Sequence, residues 1–158
     1  MKKTLIIVAA AFCFALSAAA QPKALGVRIG NFGWDLSYEN YVFKNSDFVE
    51  FELGFKTNDF HLDGLYNFDI VKPDWTPKGT WCFYAGPGAS VAAFGHKNDD
   101  KTTDTNVYVG IVGNAGLEYT FPFNLQLALD CRPRLMFGDG GVYSRGIFTF
   151  GFAIRYAF

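Results

Sequence analysis

The side chains with the clearest catalytic potential in this sequence are His61 and Asp63, which are two residues apart, together with Glu52. A histidine oriented by a carboxylate can act as a general base and activate a serine nucleophile, as in a hydrolase. No serine has a motif that supports this chemistry, and the serines are scattered along the chain at Ser37, Ser90 and Ser144. We therefore interpret His61, Asp63 and Glu52 as parts of an interior polar network, with a hydrolytic site as the alternative.

Other polar clusters lack the spacing that a metal or cofactor site needs. Asp99, Asp100 and Asp104 do not follow the pattern of an EF-hand calcium loop, so we expect solvated loop charges there. Gly86 and Gly88 lack the rest of a dinucleotide-binding fingerprint and are interpreted as small residues facing a narrow interior. The sequence has only two histidines and no zinc-type spacing. We predict no catalytic residue, metal or cofactor.

The elements that must position these side chains are β-strands, because apolar residues recur with a period of two. Large apolar side chains occupy every second position from Phe148 to Phe158, and the residues between them are small or polar. A helix would scatter these side chains over two sides, whereas a strand places them all on one face. The C-terminal segment is therefore predicted to be a strand with one apolar face.

The same alternation predicts seven earlier strands in one domain. Gly30-Asn31-Phe32-Gly33 is predicted to be a tight turn between the first two strands. Pro87 cannot donate a hydrogen bond to a neighbouring strand, so a bulge is predicted there. Longer polar loops are predicted at residues 95–105 and 134–146. The seven strands are predicted near residues 25–30, 34–39, 49–56, 61–70, 81–91, 107–119 and 125–132.

The first 20 residues are of a different kind. Lys2 and Lys3 precede an apolar run that starts at Leu5 and ends in small residues at Ala20. This pattern is typical of a secretory signal peptide cleaved after Ala20, and the run is short for a spanning helix. The predicted organisation is a signal peptide at 1–20 followed by a β-domain at 21–158. The 14 basic and 15 acidic residues nearly balance, so no nucleic-acid partner is expected.

The kind of side chain on each strand face indicates which face points inward. An even number of alternating strands suggests a closed up-and-down barrel, and eight strands leave an interior just wide enough for side chains. The bulky aromatic set would overpack that interior, so we predict small and polar side chains inside and bulky ones outside, in lipid. Aromatic residues near strand ends fit a membrane girdle: Trp34, Tyr38, Trp81, Tyr119, Tyr156 and Phe158. The predicted fold class is an all-β, antiparallel, eight-stranded transmembrane β-barrel.

The sequence resembles the small eight-stranded outer-membrane β-barrel proteins of Gram-negative bacteria, the OmpA- and OmpX-like class. The features that carry the resemblance are the signal peptide and the eight amphipathic strands, the last of which ends at Phe158. The resemblance implies a location in the cell outer membrane, with membrane lipid, periplasmic chaperones and the barrel-assembly machinery as partners. Tyr156 and Phe158 match the C-terminal assembly signal of such proteins. Position 154 does not extend the aromatic signal, because it holds Ile154 and not a phenylalanine.

The resemblance also implies an orientation. Both termini and the links near residues 44, 75 and 122 would face the periplasm. The loops at 95–105 and 134–146 would face the cell surface, where they could meet an extracellular partner.

The interior of the barrel is predicted to hold paired charges. If Asn31-Phe32 is a two-residue turn, Arg28 faces Asp35 across the first hairpin. An unpaired arginine in a narrow interior would carry a large desolvation penalty, so Arg132 and Arg155 are also expected to meet inward carboxylates. The predicted network consists of Arg28, Asp35, Glu50, Glu52, His61, Asp63, Glu118, Asp130, Arg132 and Arg155.

The two cysteines of the β-domain are predicted to remain unlinked. Cys82 has the inward parity of its strand, whereas Cys131 has the outward parity and is placed near the opposite end of the barrel. A disulfide requires Cα atoms about 4.4–6.8 Å apart, so a barrel wall between the two side chains prevents it.

These features together favour a non-catalytic outer-membrane barrel whose polar network plugs the interior. Its role would be structural in the envelope, or interaction through its surface loops. The alternative is an outer-membrane lipid-modifying enzyme of the acyl hydrolase or transferase type. A small porin-like channel is disfavoured because side chains fill an eight-stranded interior. A soluble secreted barrel that binds an apolar ligand would require the opposite facing of its side chains.

Overall fold

The computed structural model describes residues 22–31, 33–43, 47–56, 59–97, 103–138, 141–143 and 147–158. The predicted signal peptide, Ser144, Asp99 and Asp100 lie outside the described residues, as do parts of both long loops. In the part of the chain that the structure describes, no helix is long and apolar enough to cross a membrane.

The described residues form nine β-strands. In chain order they are β1 (Pro22–Gly30), β2 (Gly33–Phe43), β3 (Asp47–Lys56), β4 (Asp59–Val71), β5 (Thr80–Lys97), β6 (Thr103–Thr120), β7 (Leu125–Gly138), β8 (Gly141–Tyr143) and β9 (Phe148–Ala157).

Eight of these strands close into an antiparallel barrel. From β1 to β7, each strand pairs with the next one along the chain. β9 then pairs with β7 on one side and with β1 on the other, which completes the circle. β8 is a three-residue strand that pairs with the end of β7. The prediction of an eight-stranded up-and-down barrel is therefore confirmed.

The alternation of exposure along each strand follows from the sequence pattern. In β9, Thr149 and Arg155 are fully or almost fully buried, whereas Phe150 keeps 63% of its surface exposed. Large exposed apolar side chains, such as Ile29 and Ile111, also cover the outer faces of the other barrel strands except β3, whose outward side chains are partly exposed. This facing is the reverse of that in a barrel that folds in water, and it confirms the prediction that the bulky set points outward.

The last residues of the chain continue this outward row. Ile154 lies in β9 between its pairing partners Val27 on β1 and Leu127 on β7, and its side chain is exposed on the outer face. Tyr156 and Phe158 are exposed in the same way. The aromatic residues at the end of this outward row are therefore Tyr156 and Phe158. Ile154 belongs to the same row but is aliphatic, so it does not extend the aromatic assembly signal.

Three strands extend into the segments that were predicted to be long loops. β5 reaches Lys97 and β6 begins at Thr103, so both enter the predicted loop at 95–105. β7 continues to Gly138 and thus includes the first part of the predicted loop at 134–146. Strand pairing satisfies backbone groups whatever the polarity of the side chains, which is why a polar sequence did not end these strands.

The bulge predicted at Pro87 is wrong. β5 and β6 keep one register over their whole length, with Pro87 opposite Gly113. Pairing of β5 with β4 is interrupted beside Pro87, but it continues in the same register on both sides of the gap. The missing N–H of proline is therefore accommodated by a local gap in pairing, without an extra residue in the strand.

Several glycines provide space for large interior side chains. A Cβ atom at Gly54 would overlap the ring of His61, and one at Gly151 would overlap the guanidinium of Arg28. A Cβ atom at Gly116 would similarly overlap the ring of Tyr84. The small residues of the inward face therefore allow long and aromatic side chains to fit within one narrow barrel.

Candidate functional site

The candidate functional site is a buried network of charged side chains in the interior of the barrel. All eight barrel strands contribute polar side chains to it, and no charged member has more than 6% of its surface exposed. All ten residues of the predicted network are buried in this interior. Among the described residues, the buried bases are Lys23, Arg28, Arg132, Arg134 and Arg155, and the buried acids are Asp35, Glu39, Glu50, Glu52, Asp63, Glu118 and Asp130.

Arg28 joins the first hairpin to β7, which is separated from β1 by β9. It lies directly opposite Asp35 in the β1–β2 register, and its Nη1 donates to Asp35 Oδ2 at 2.9 Å. Its Nε and Nη2 donate to the two carboxylate oxygens of Asp130 on β7, at 2.8 Å and 2.5 Å. The predicted pairing of Arg28 with Asp35 is confirmed, and Asp130 adds a bidentate partner that local register alone does not indicate.

Arg132 lies at the centre of the network. Its Nη2 donates to Glu50 at 3.0 Å and to Glu52 at 3.1 Å, and its Nη1 forms a further ion pair with Glu52. Its Nε lies 3.3 Å from Asp130 Oδ1. One guanidinium thus contacts three carboxylates that come from two strands, so its positive charge holds together groups that would otherwise repel one another.

Arg155 extends the same network toward the end of the barrel at which residues 72–79 and 121–124 link the strands, here called the link side. Its Nη2 donates to Glu50 Oε1 at 2.5 Å, and its Nη1 lies 3.0 Å from Glu39 Oε1. Its Nε donates to the hydroxyl of Ser37 at 2.8 Å. Glu50 is therefore shared by Arg132 and Arg155, which makes it the acidic centre of the cluster.

His61 lies near Asp63, as the sequence predicted, but its other carboxylate neighbour is Asp35 and not Glu52, and the neighbouring serine does not complete a nucleophile arrangement. His61 Nε2 is 3.2 Å from Asp35 and 4.0 Å from Asp63. Asp63 accepts hydrogen bonds from the hydroxyl of Ser90 at 2.5 Å and from Arg134 Nη2 at 2.9 Å. A catalytic serine gives its proton to a general base such as histidine, whereas the Ser90 hydroxyl donates to a carboxylate that already balances an arginine.

Two basic members of the network, Lys23 and Arg134, are missing from the predicted set. The ammonium of Lys23 lies 2.7 Å from Glu118 and 3.0 Å from Glu39, and it also lies 3.5 Å from the ring centre of Phe48. Lys23 has the outward parity of β1, but an irregularity between Pro22 and Ala24 shifts the register and accompanies its burial. Arg134 is two residues after the inward Arg132 and so has the same inward parity. It was not predicted to join the network because residues 134–146 were assigned to a loop.

Neutral polar side chains complete the network. Gln126 Nε2 donates to Glu39 at 3.1 Å and to Glu118 at 2.9 Å. Asn67 and Asn114 both donate to Glu50 Oε2, at 3.2 Å and 3.1 Å. The acids that outnumber the bases are therefore partly satisfied by amide donors, which carry no charge of their own.

Apolar layers flank the charged network along the barrel axis. Toward the link side, Phe48 packs with Cys82 and Tyr84. Toward the opposite end, Met136 packs with Ala92 and Tyr108. The described interior therefore has charge in the middle and apolar groups nearer both ends.

The two cysteines lie on opposite faces of the wall. Cys82 is buried in the interior, and Cys131 is partly exposed on the outer face. Along β6 the two cysteines pair with positions that are three residues apart, Cys82 with Glu118 and Cys131 with Ala115. The sequence predicted that Cys131 lies near the opposite end of the barrel from Cys82. This prediction is wrong, because β7 continues seven residues beyond Cys131 to Gly138.

In the described ranges, no group of three or more His, Cys, Asp or Glu side chains is arranged to hold a metal ion. The arginines instead lie between the carboxylates, at the positions a cation would need. What the arrangement does is compensate charge inside a narrow barrel.

The fold is similar to that of the N-terminal β-barrel domain of Pseudomonas aeruginosa OprF. The two structures superpose with a TM-score of 0.61 over 88% of this chain and 99% of that chain, at 14% sequence identity. No protein-family model matches the sequence, and no curated protein matches it. The likeness therefore concerns the barrel architecture, and the facing of the side chains is an independent observation.

Proposed function

We propose that this chain is a non-catalytic outer-membrane β-barrel whose interior is plugged by its charged network. The observation that carries the proposal is the opposite chemistry of the two strand faces. Exposed Phe, Ile, Leu and Val side chains surround a closed barrel, while its interior holds buried ion pairs. A lipid bilayer solvates such an outer wall, and a closed barrel leaves no unpaired strand edge within it.

The network supports a plugged interior because its members bridge the barrel from wall to wall. Arg132 on β7 binds Glu50 and Glu52 on the opposite strand β3 at 3.0 Å and 3.1 Å, and Arg28 on β1 binds Asp130 on β7 across β9 at 2.5 Å. A continuous water path would require several of these bonds to open at once. Each opening would leave a charged group unpaired in a confined space, which is costly.

Two measurements test this proposal. The protein should sediment with the outer-membrane fraction and remain there after an alkaline, high-salt wash, since its outer wall is apolar. In planar bilayers, the purified protein should show no steady open-channel conductance. Release by the wash would contradict the membrane location, and sustained single-channel current would contradict the plugged interior.

The lipid-modifying enzyme is the second candidate, since His61, Asp63 and Ser90 do lie together. All three are buried with at most 2% of their surface exposed, inside a barrel whose outer wall is the face that lipid reaches. This burial supports the non-catalytic role. Profiling of lipid A and phospholipids in a deletion strain should show no change in acyl-chain pattern, and a missing or altered lipid species would favour the enzyme.

We also propose an orientation and a route of assembly. Pro22, Phe158 and the links at 72–79 and 121–124 lie at one end of the barrel, which we assign to the periplasm. The opposite end carries the loops that would meet an extracellular partner.

The assembly signal is proposed to consist of the two aromatic residues that end the outward row of β9. Tyr156 and Phe158 expose their rings at the periplasmic end, 5.3 Å apart, where the assembly machinery would bind them. Ile154 is exposed on the same face but has no ring, so we assign it to lipid contact and not to the signal. Substitution of Phe158 by Ala should slow insertion into the membrane without changing the final barrel, whereas Ile154→Val is the control and should insert at the wild-type rate.

A further inference from the structure

The outer wall contains an apolar groove near the link side. Its volume is about 400 Å³, and six side chains from β5, β6, β7 and β9 form most of its lining: Trp81, Leu117, Tyr119, Leu127, Leu129 and Phe152. The strand pairings place Trp81 beside Tyr119 and Tyr119 beside Leu127, whereas Leu117 lies beside Leu129 and Leu129 beside Phe152. Two rows of side chains therefore cross the wall at neighbouring levels.

The groove exists because leucines lie between larger aromatic side chains. The rings of Trp81 and Tyr119 are 4.5 Å apart and form one bank, and Phe152 on β9 forms the other. The leucines of β6 and β7 are smaller than these aromatic side chains and form the floor of the groove between the two banks. Such a shape suits a long, flexible, apolar chain, and the volume is within the range of small-ligand sites.

The link between β4 and β5 forms the polar end of the groove. Thr76 reaches the lining, and both its hydroxyl and that of Tyr119 donate to the carbonyl of Lys78, at 2.9 Å and 2.6 Å. Trp75 packs against Trp81 at 5.4 Å between ring centres, which anchors the same link on the outer wall. The groove thus has apolar sides, and the backbone of Lys78, an exposed basic residue of the link, lies at its end.

We propose that this groove binds one acyl chain of a phospholipid from the leaflet on the link side, with the phosphate near Lys78. The inference rests on the proposed membrane location, because it places the groove in continuity with the wall that contacts lipid. An acyl chain matches the apolar lining, and an anionic phosphate matches the ammonium carried by the link. The recess between the aromatic banks should therefore retain one lipid longer than a flat stretch of the outer wall.

Native mass spectrometry of the full chain, purified from membranes in mild detergent, tests this site. We expect a population that carries one phospholipid. Leu129→Trp should fill the groove and lower the lipid-bound fraction at least about fivefold, since the added indole ring occupies the space that the acyl chain would take. Ile111→Trp is the matched control, because Ile111 is 65% exposed on the same wall but outside the groove. It should leave the bound fraction unchanged.

Three outcomes of this experiment would overturn the acyl-chain site. They are a wild-type protein without bound lipid, an equal loss of lipid in both tryptophan variants, and a second copy of the chain bound in place of lipid. If Leu129→Trp does not fold, Leu127→Phe and Leu129→Phe give smaller fillings of the same groove and a graded loss of lipid is expected.

A fluorescence measurement separates failure of the groove from failure of the membrane proposal. The chain has three tryptophans, Trp34, Trp75 and Trp81. Variants that keep only Trp34 or only Trp81, with Phe at the other two positions, are reconstituted in vesicles with increasing fractions of brominated phosphatidylcholine. Quenching of Trp34 reports membrane contact far from the groove, and Trp81 should be quenched at a lower brominated fraction. Equal quenching curves would overturn the lipid site alone, whereas absence of quenching at both positions would overturn the membrane location as well.

Discussion

The inner and outer faces of the barrel are built from the same strands but are stabilised in opposite ways. On the outer face, side chains such as Phe150 and Ile111 are exposed and need no specific partner. On the inner face, each charged group depends on particular atoms of other strands, as Arg132 does on Glu50 and Glu52. The outer face therefore tolerates exchange of one apolar residue for another, whereas the inner face is sensitive to the identity and position of each charge.

The largest effect is expected from removing a central charge. Arg132→Met should lower the free energy of unfolding by about 3–5 kcal/mol, because three carboxylates lose their shared partner. Equilibrium urea unfolding in phospholipid vesicles measures this change. Lys56→Met, at an exposed position at the end of β3, is the control and should have no measurable effect. Similar stability of both variants would show that the inner face is not held by these ion pairs.

The next largest effect is expected from placing a charge on the outer face. Phe150→Arg should cost about 2–4 kcal/mol in vesicles, since the position is exposed on β9 and would contact lipid. Phe123→Arg is the matched control on the link between β6 and β7, where 66% of the side chain is exposed. There the cost should fall to about 0–1 kcal/mol, as expected near a membrane interface. Equal losses at the two positions would contradict the assignment of the outer wall to lipid.

A smaller effect is expected where a methyl group is added to the inner face. Gly54→Ala should lower stability by about 1–3 kcal/mol, because its Cβ atom would overlap the ring of His61 and the carboxylate of Asp35. Gly64→Ala tests the other face, where the nearest atom to an added Cβ would be a ring carbon of Phe51 at 3.8 Å. That variant should unfold at the same urea concentration as the wild type. A stable Gly54→Ala variant would mean that the interior has spare room.

The smallest effect is expected from reduction. Cys82 and Cys131 lie on opposite faces of the wall, so a reducing agent should leave the urea midpoint unchanged. Alkylation of the unfolded, unreduced protein should modify both residues, as read by peptide mass spectrometry. A peptide pair linked through these cysteines would show that the strand register of β5 or β7 is different from the one described.

Much of the barrel could be predicted from local sequence because a strand has a period of two. Alternation identified eight strands and the outward face, and the short Asn31-Phe32 turn correctly placed Arg28 opposite Asp35. These features depend on neighbouring residues in the chain, where the geometry of a strand or a hairpin leaves few choices. All ten residues that the inward parity selected are buried, whereas Glu39 is buried with the same inward parity and was not selected.

Local irregularities could not be predicted in this way. Lys23 is buried against its parity where the register of β1 shifts, whereas Pro87, which suggested a bulge, causes none. The end of β7 was placed too early, and with it Arg134 was left out of the network. A single proline or polar residue does not show whether the partner strand continues beside it, and that partner determines whether the strand ends.

What the sequence by itself determined is the type of each face: bulky apolar residues outside, and small, polar and charged residues inside. Only the tertiary structure decided which inward charges meet. Arg28 contacts Asp130, and Glu50 contacts both Arg132 and Arg155, although these residues are about a hundred or eighty positions apart. The physical reason is that partners across a closed barrel depend on the combined stagger of all its strands. Each strand's own alternation contains no information about that sum.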